Sequence, residues 1–306
     1  MTRRRLGQSD LEISPVALGC WPLAGITSGP MTDEAATAVI DAALDSGVNH
    51  LDTAFAYGRH GESERRVARA LRGRRDAVVL ATKVGVYWDD NGSLRLTCRP
   101  ELLRRHFEES LRRLELDHID LLYLHAAADD APLADSAGLF RDLITEGKTR
   151  AVGVSNLSVA QMGAFAAECP LAACQVRYNR LQRDIEADVL PWCRDHNVGL
   201  VAYEPLALGL LTGKFTRDHV FAEDDWRRRS PLFMGDAWER NLHEVERMRP
   251  LAEGLGCSVA QLAVGWTISQ PGVTAALCGA KRPQQIRETA QAMFMAGPFP
   301  DSAESP

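Results

Sequence analysis

"VNHLDTAFAYGRHGESERRVARALRGRRDAVVLATKV", residues 48–84, links one apolar segment to the next through a loop and a helix-period stretch. The first segment ends at Asp52, the loop holds Tyr57 between small and glycine residues, and the last segment carries Lys83. Within 65–75, Val67, Ala70 and Leu71 make an apolar stripe with arginines opposite, which predicts a helix with a solvated basic face. Strand, loop, helix, strand is the repeating unit of a parallel sheet.

The unit recurs along the chain. Apolar, β-branched runs at 15–20, 48–54, 77–84, 119–126, 150–156, 172–179, 198–206 and 274–280 alternate with helical stretches. "TDEAATAVIDAALDSG" offers Thr32 as a cap, acids in its first turn, Ala36, Ile40 and Ala43 on one face, and Gly47 as a stop. "RPELLRRHFEESLRRLEL" begins with Pro100 near its first turn and repeats Leu103, Phe107, Leu111 and Leu114. The runs are too apolar for strands wet on one face, so the sheet is expected to be covered on both. Eight such units in about 250 residues favour an α/β fold closed as a (β/α)8 TIM barrel. "RRRLGQSDLEIS" predicts an N-terminal β-hairpin turning at Gly7–Asp10 and capping the barrel bottom. Residues 207–237 lack clear periodicity and are expected to form a long loop over the C-terminal face. No shift of composition marks a second domain, so 1–306 reads as a single barrel domain ending in the short tail "GPFPDSAESP".

Composition narrows the function classes. A formal charge of −6 opposes general nucleic-acid binding, which needs lysine and arginine to neutralise phosphate. No uncharged apolar run approaches the roughly 18 residues of a membrane span, and "MTRRRLGQSD" leads into no apolar signal core. Cysteines at 20, 98, 169, 174, 193, 257 and 278 form no CxxC and no zinc spacing, which predicts reduced core thiols, a cytoplasmic setting and no metal.

In a barrel of this kind the site is built where strands pass into loops. Polar residues collect there: Asp52, Lys83, His125, Ser155, Asn156, Gln175 and Tyr203 each close an apolar run. Taken singly, each has an ordinary structural explanation; together they point to chemistry. Asp52 and Lys83 make an ion pair, and Tyr57 on the adjoining loop is within reach of the lysine. A phenol titrates near 10 in water, and a neighbouring ammonium is expected to lower it and make a usable proton donor. With His125 orienting the same oxygen, the parts suit a carbonyl that gains a proton on oxygen while a hydride reaches carbon. No serine or cysteine stands in a nucleophile elbow, and "GVSN" lacks the final glycine of G-x-S-x-G.

At these residues the sequence resembles the aldo-keto reductase superfamily, over nearly the whole chain. "LDTAFAYGRHGESE", "ATKV", "DLLYLH", "GVSN", "QVRYN", "AYEPLALGLLTGK" and "GAKRPQQIRE" are similar to its segments in their usual order. The stretch with "DDWRRRSPLF" is more like the bacterial general-stress and potassium-channel-β-like branches. The resemblance implies a catalytic tetrad of Asp52, Tyr57, Lys83 and His125, with Tyr57 as general acid or base. It implies nicotinamide contacts from Ser155, Asn156, Gln175 and Tyr203, and pyrophosphate cover from Leu206, Gly209 and Lys214. Gly279, Lys281, Gln285 and Glu288 match its adenosine and 2′-phosphate segment. Lys281 and Arg282 open the last main helix, and cations at a helix N-terminus suit a phosphate, which favours NADP over NAD. The substrate is then a small-molecule carbonyl, and Trp21, Tyr87 and Trp88 are expected to line its pocket.

Two other classes fit parts of the pattern. A regulatory module that keeps the nucleotide site and senses cofactor redox state would bind nucleotide without turnover. A Schiff-base aldolase or isomerase would need Lys83 uncharged and open to attack.

Overall fold

Eight of the predicted runs become the strands of one closed barrel. The structure, a computed structural model, describes residues 3–26, 29–223, 225–295 and 299. In chain order β1 is Arg4–Arg5, β2 Glu12–Ile13, β3 Val16–Gly19, α1 Asp33–Asp45, β4 His50–Asp52, α2 Glu62–Leu71 and β5 Val79–Val84. Then come β6 Val86–Trp88, β7 Leu94–Leu96, α3 Pro100–Leu114, β8 Ile119–Leu124, α4 Leu133–Thr145, β9 Thr149–Ser155 and α5 Val159–Glu168. The chain continues through β10 Ala173–Arg177, α6 Val189–Asp195, β11 Gly199–Tyr203, α7 Gly235–Gly254, α8 Val259–Ser269, β12 Val273–Gly279 and α9 Pro283–Ala290. The barrel closes in the order β3-β4-β5-β8-β9-β10-β11-β12, all parallel. The β1–β2 hairpin seats Leu6, Leu11 and Ile13 among the interior residues, as a plug at the bottom.

Strand alternation sorts the side chains into two cores. Ala17, Val79, Ala81, Leu121, Tyr123, Ala151, Val201 and Ala275 point inward, whereas Leu18, Leu51, Leu80, Leu122, Val152, Leu200 and Ala276 pack outward under the helices. The same parity sends Asp52, Lys83, Ser155, Gln175 and Tyr203 inward at the C-terminal end of the barrel. Thr82, one residue from Lys83, faces out. Tyr123 occupies the space beside Gly153, where an added Cβ would collide with the ring.

Local signals explain the helices. Thr32 accepts from the Ala35 amide to cap α1, Pro100 opens α3, and Leu103, Phe107, Leu111 and Leu114 are buried. One expectation is corrected by the structure. The basic face of α2 is only partly solvated: Arg66 donates to the Leu23 and Met31 carbonyls at 2.5 and 2.6 Å and to Asp33 at 3.1 Å. A guanidinium has enough donors to replace water with carbonyls. The 207–237 stretch is irregular over most of its length and adds a small core of its own. Its short 3₁₀ turns bring Leu210, Leu211, Phe215 and Phe233 into a cluster with α7 and α8, and α7 itself begins at Gly235. Aromatic residues spaced without a period can still pack on one another, so periodicity does not reveal them. Most of the tail "GPFPDSAESP" lies outside the described residues. Among the described residues no single helix is long and apolar enough to cross a membrane.

Candidate active site

Asp52 and Lys83 meet inside the top of the barrel because β4 and β5 are neighbours and both residues face in. Their side chains are 1% and 0% exposed. The Lys83 ammonium donates to Asp52, to the Thr53 carbonyl at 2.9 Å and to the Tyr57 hydroxyl at 3.1 Å, which uses all three of its hydrogens. The second Asp52 oxygen accepts from the Gln175 amide at 2.9 Å. Burial lowers the ammonium pKa, but Asp52 and Tyr57 outweigh it and the net direction is up. Lys83 therefore stays charged, which is the wrong state for a Schiff-base nucleophile.

Tyr57 reaches the lysine because its loop turns tightly. The Phe55 amide donates to the Lys83 carbonyl at 3.0 Å, and Gly58 and Gly61 have φ of 99° and 75°, a region that favours glycine. Its acidity runs opposite to the sequence-based expectation. Burial raises the phenol pKa more than Lys83 lowers it; Asp52 and the Cys20 thiol raise it further, and the net direction is up. Desolvation penalises the phenolate, and only the packed structure reveals how complete that desolvation is.

His125 follows β8, its ring 5.9 Å from the Tyr57 ring and edge-on to it. Burial, and then the Lys83 charge, push its pKa down to about 3, so the imidazole is neutral. Its buried Nδ1 has no hydrogen-bond partner. An unpaired buried N–H would cost more than a bare ring nitrogen, so the single proton belongs on Nε2. Next to it, Asn156 donates to Ser155 Oγ at 3.0 Å and to the His125 carbonyl at 3.3 Å, while the Tyr203 hydroxyl donates to Asn156 Oδ1 at 2.9 Å. Ser155, Asn156, Gln175 and Tyr203 thus share one rim with the Asp52–Lys83–Tyr57 chain.

A second group gathers around Lys214. Leu206 opens a 3₁₀ turn; Gly209 has φ of 92° and stands against the Lys214 ammonium. Burial lowers the Lys214 pKa, and Arg227, Lys281 and Arg282 lower it further. Lys281 is lowered by burial, Arg227 and Arg282, with Asp225 opposing. Four cations gathered around one carboxylate repel each other and suit a polyphosphate. Arg227, which sequence reading passed over, is held at Asp225 with a contact of 2.5 Å and lies over the Phe215 and Phe221 rings. Its signal was the "DDWRRR" run, but position alone does not say which arginine faces Lys214. Gly279 ends β12 beside Pro22. Gln285 accepts from the Lys281 and Arg282 amides at 2.8 and 3.1 Å, and Glu288 accepts from Ser258 at 2.6 Å, so both are engaged within the protein.

Around Tyr57 the three aromatic residues take different positions. Trp21 packs edge-on to Tyr57 at 4.9 Å, and Trp88 donates its indole N–H to the Ala56 carbonyl at 3.0 Å. Tyr87 turns to His106, 5.0 Å away, on α3. Trp88 and Tyr87 belong to the β6–β7 hairpin, which sequence reading did not anticipate. Asp130 ties that hairpin to the loop after His125, accepting from Thr97 and from the Cys98 amide, each at 2.7 Å.

Known proteins resemble this chain over nearly its whole length. The sequence profile of the Aldo/keto reductase family matches residues 15–302. The chain is 38% identical to "Aldo-keto reductase YhdN" of Bacillus subtilis over 92% of its length and 85% of that protein's. It is 31% identical to the "NADH-specific methylglyoxal reductase" of Escherichia coli, over 96% of its own length and 94% of that protein's. The solved glycerol dehydrogenase AKR11B4 from Gluconobacter oxydans superposes with a TM-score of 0.87 at 39% identity, covering 94% of this chain and 89% of the other. With a profile match over nearly its whole length and an eight-stranded parallel barrel carrying a lysine–tyrosine hydrogen bond, this chain belongs to the aldo/keto reductase family.

Proposed function

We propose that this protein transfers a hydride between NADPH and an aldehyde or ketone, reversibly oxidising an alcohol or sugar, with Tyr57 as the general acid or base. The observation that carries this reading is the Lys83 ammonium bonded at once to Asp52 and to the Tyr57 hydroxyl, 3.1 Å away, inside the barrel mouth. When bound, the nicotinamide supplies the hydride. Tyr57 is protonated at neutral pH and hands its proton to the carbonyl oxygen. Lys83 stabilises the phenolate left behind, Asp52 neutralises Lys83, and Gln175 holds Asp52 in place. His125 donates from Nε2 to the same oxygen and orients it.

The cations at Lys214, Arg227, Lys281 and Arg282 support a pyrophosphate and 2′-phosphate subsite, with Leu206, Gly209, Gly279, Gln285 and Glu288 framing it. Ser155, Asn156, Gln175 and Tyr203 form the nicotinamide end, and Trp21 and Trp88 bound the space for a small carbonyl in a cytoplasmic setting, with Tyr87 turned to His106 instead. Because a relative is named as NADH-specific, cofactor choice needs its own test. Lys281→Ala is expected to weaken NADPH by about tenfold to a hundredfold, the loss of one charge-assisted contact, and NADH by less than about threefold. Equal loss for both nucleotides in a fluorescence titration contradicts the 2′-phosphate assignment.

The activity itself is read by following NADPH oxidation with a panel of small aldehydes and ketones. Tight nucleotide binding without turnover of any of them favours the regulatory module instead. The pH profile is a second check. With His125 pushed down to about 3 and burial pushing the Tyr57 phenol up from its ordinary range, neither group titrates near neutrality. Reductive kcat is therefore expected to be flat around neutral pH. The oxidation rate should rise towards alkaline pH, since Tyr57 must first lose its proton. A bell centred near neutrality in the reductive direction would contradict these protonation states.

A further inference from the structure

Outside the residues so far assigned to chemistry, the barrel holds a second buried ion pair. Glu64 on α2 is 0% exposed and the Arg113 side chain on α3 is 8% exposed. Glu64 Oε2 accepts from Arg113 at 3.2 Å, while Oε1 accepts from the Thr82 hydroxyl at 2.7 Å. Thr82 is the outward neighbour of Lys83 on β5. Arg113 donates from the same Nη1 to the Phe55 carbonyl at 3.1 Å, and its guanidinium lies 4.3 Å from the centre of the Phe55 ring. Arg113 also bonds Glu109, and the Phe55 ring stacks on His106 at 4.3 Å. Gly61 leaves the space through which the Arg113 side chain passes; a Cβ there would collide with it.

The pair therefore grips two pieces of chain from behind. One is the strand that carries Lys83, held at Thr82; the other is the loop that carries Tyr57, held two residues earlier at Phe55. Replacing a buried ion pair by apolar groups of similar volume is often neutral or stabilising, so stability alone gives little reason for this one. Its reach does: the two anchored segments are the ones whose spacing decides the Lys83–Tyr57 hydrogen bond.

We propose that Glu64 and Arg113 are positioning residues that set the distance between Lys83 and Tyr57, holding the lysine strand through Thr82 and the tyrosine loop through Phe55. The proposal deepens the function given above and rests on it. Misplacement of a reacting group by about 1 Å can cost about a hundredfold in rate. In the NADPH-loaded protein, the double variant Glu64→Leu/Arg113→Met removes both charges while keeping apolar volume. It is expected to keep its melting temperature within a few degrees and NADPH affinity within about threefold. Its reductive kcat should fall about tenfold to a hundredfold with KM little changed, and the alkaline rise of alcohol oxidation should move to higher pH. Arg113→Lys, which keeps the charge but loses the planar fork, should lie between the two.

Wild-type kcat and an unmoved pH profile in the double variant would overturn the proposal. If that variant does not fold, Arg113→Lys carries the same test. A rapid pH jump followed by tyrosinate absorbance, with Tyr57→Phe subtracted, reads the Tyr57 titration without any turnover. If the wild type reduces no carbonyl, the function has failed but this measurement still decides the positioning. A higher Tyr57 midpoint in the variants supports it, and an identical midpoint in all forms rejects it.

Discussion

Tyr57→Phe is expected to lower reductive kcat by about 10²–10⁴-fold, the usual contribution of a positioned general acid, and to leave NADPH affinity within about twofold. Only a hydroxyl is removed. The ring keeps its edge contact with Trp21 and its place beside His125, and Lys83 keeps Asp52 and the Thr53 carbonyl as acceptors. Steady-state assays with the best carbonyl of the panel, together with a nucleotide titration, separate the two effects. Turnover within about threefold of wild type would remove Tyr57 from the chemistry. A parallel loss of nucleotide affinity would show that the phenol holds the site together instead of donating a proton.

The second large effect is expected from Lys83→Met. Asp52 is then buried with the Gln175 amide as its remaining side-chain partner. Removing one member of a buried ion pair typically costs about 3–5 kcal/mol, because the other charge is left uncompensated. Denaturant unfolding should show that loss, and reductive turnover should fall at least as far as in Tyr57→Phe. The double variant Asp52→Leu/Lys83→Met is the informative control. It has no orphaned charge, so it should regain most of the stability and none of the activity. A double variant that recovered turnover would show that the pair serves folding alone, and one as unstable as Lys83→Met would show that packing, not charge, dominates there.

The barrel was legible in the sequence because its signals are local. Each strand is a short apolar run, and each inward or outward choice follows from a period of two. Thr32 and Pro100 mark helix starts through bonds and dihedrals that reach no more than one turn. The residues at the strand ends were legible for the same reason: in a closed parallel barrel, one parity and one end are enough to bring Asp52, Lys83, Gln175 and Tyr203 to a common mouth. Irregular segments were not. The β6–β7 hairpin is local, but its three-residue strands are too short to show a period, while the Asp130 tie and the Phe215–Phe233 cluster depend on partners farther along the chain.

Sequence alone thus determined the fold, the family and the chemical types gathered at the rim. Only the tertiary structure decided the acidity of Tyr57, since burial and the Lys83 charge act in opposite directions and their balance depends on how completely the surrounding chain excludes water. It likewise selected Arg227 from three consecutive arginines and joined Glu64 to Arg113 across two helices. Hydrophobic periodicity is written along the chain, but desolvation and charge pairing are sums over neighbours in space, and those neighbours exist only once the barrel has closed.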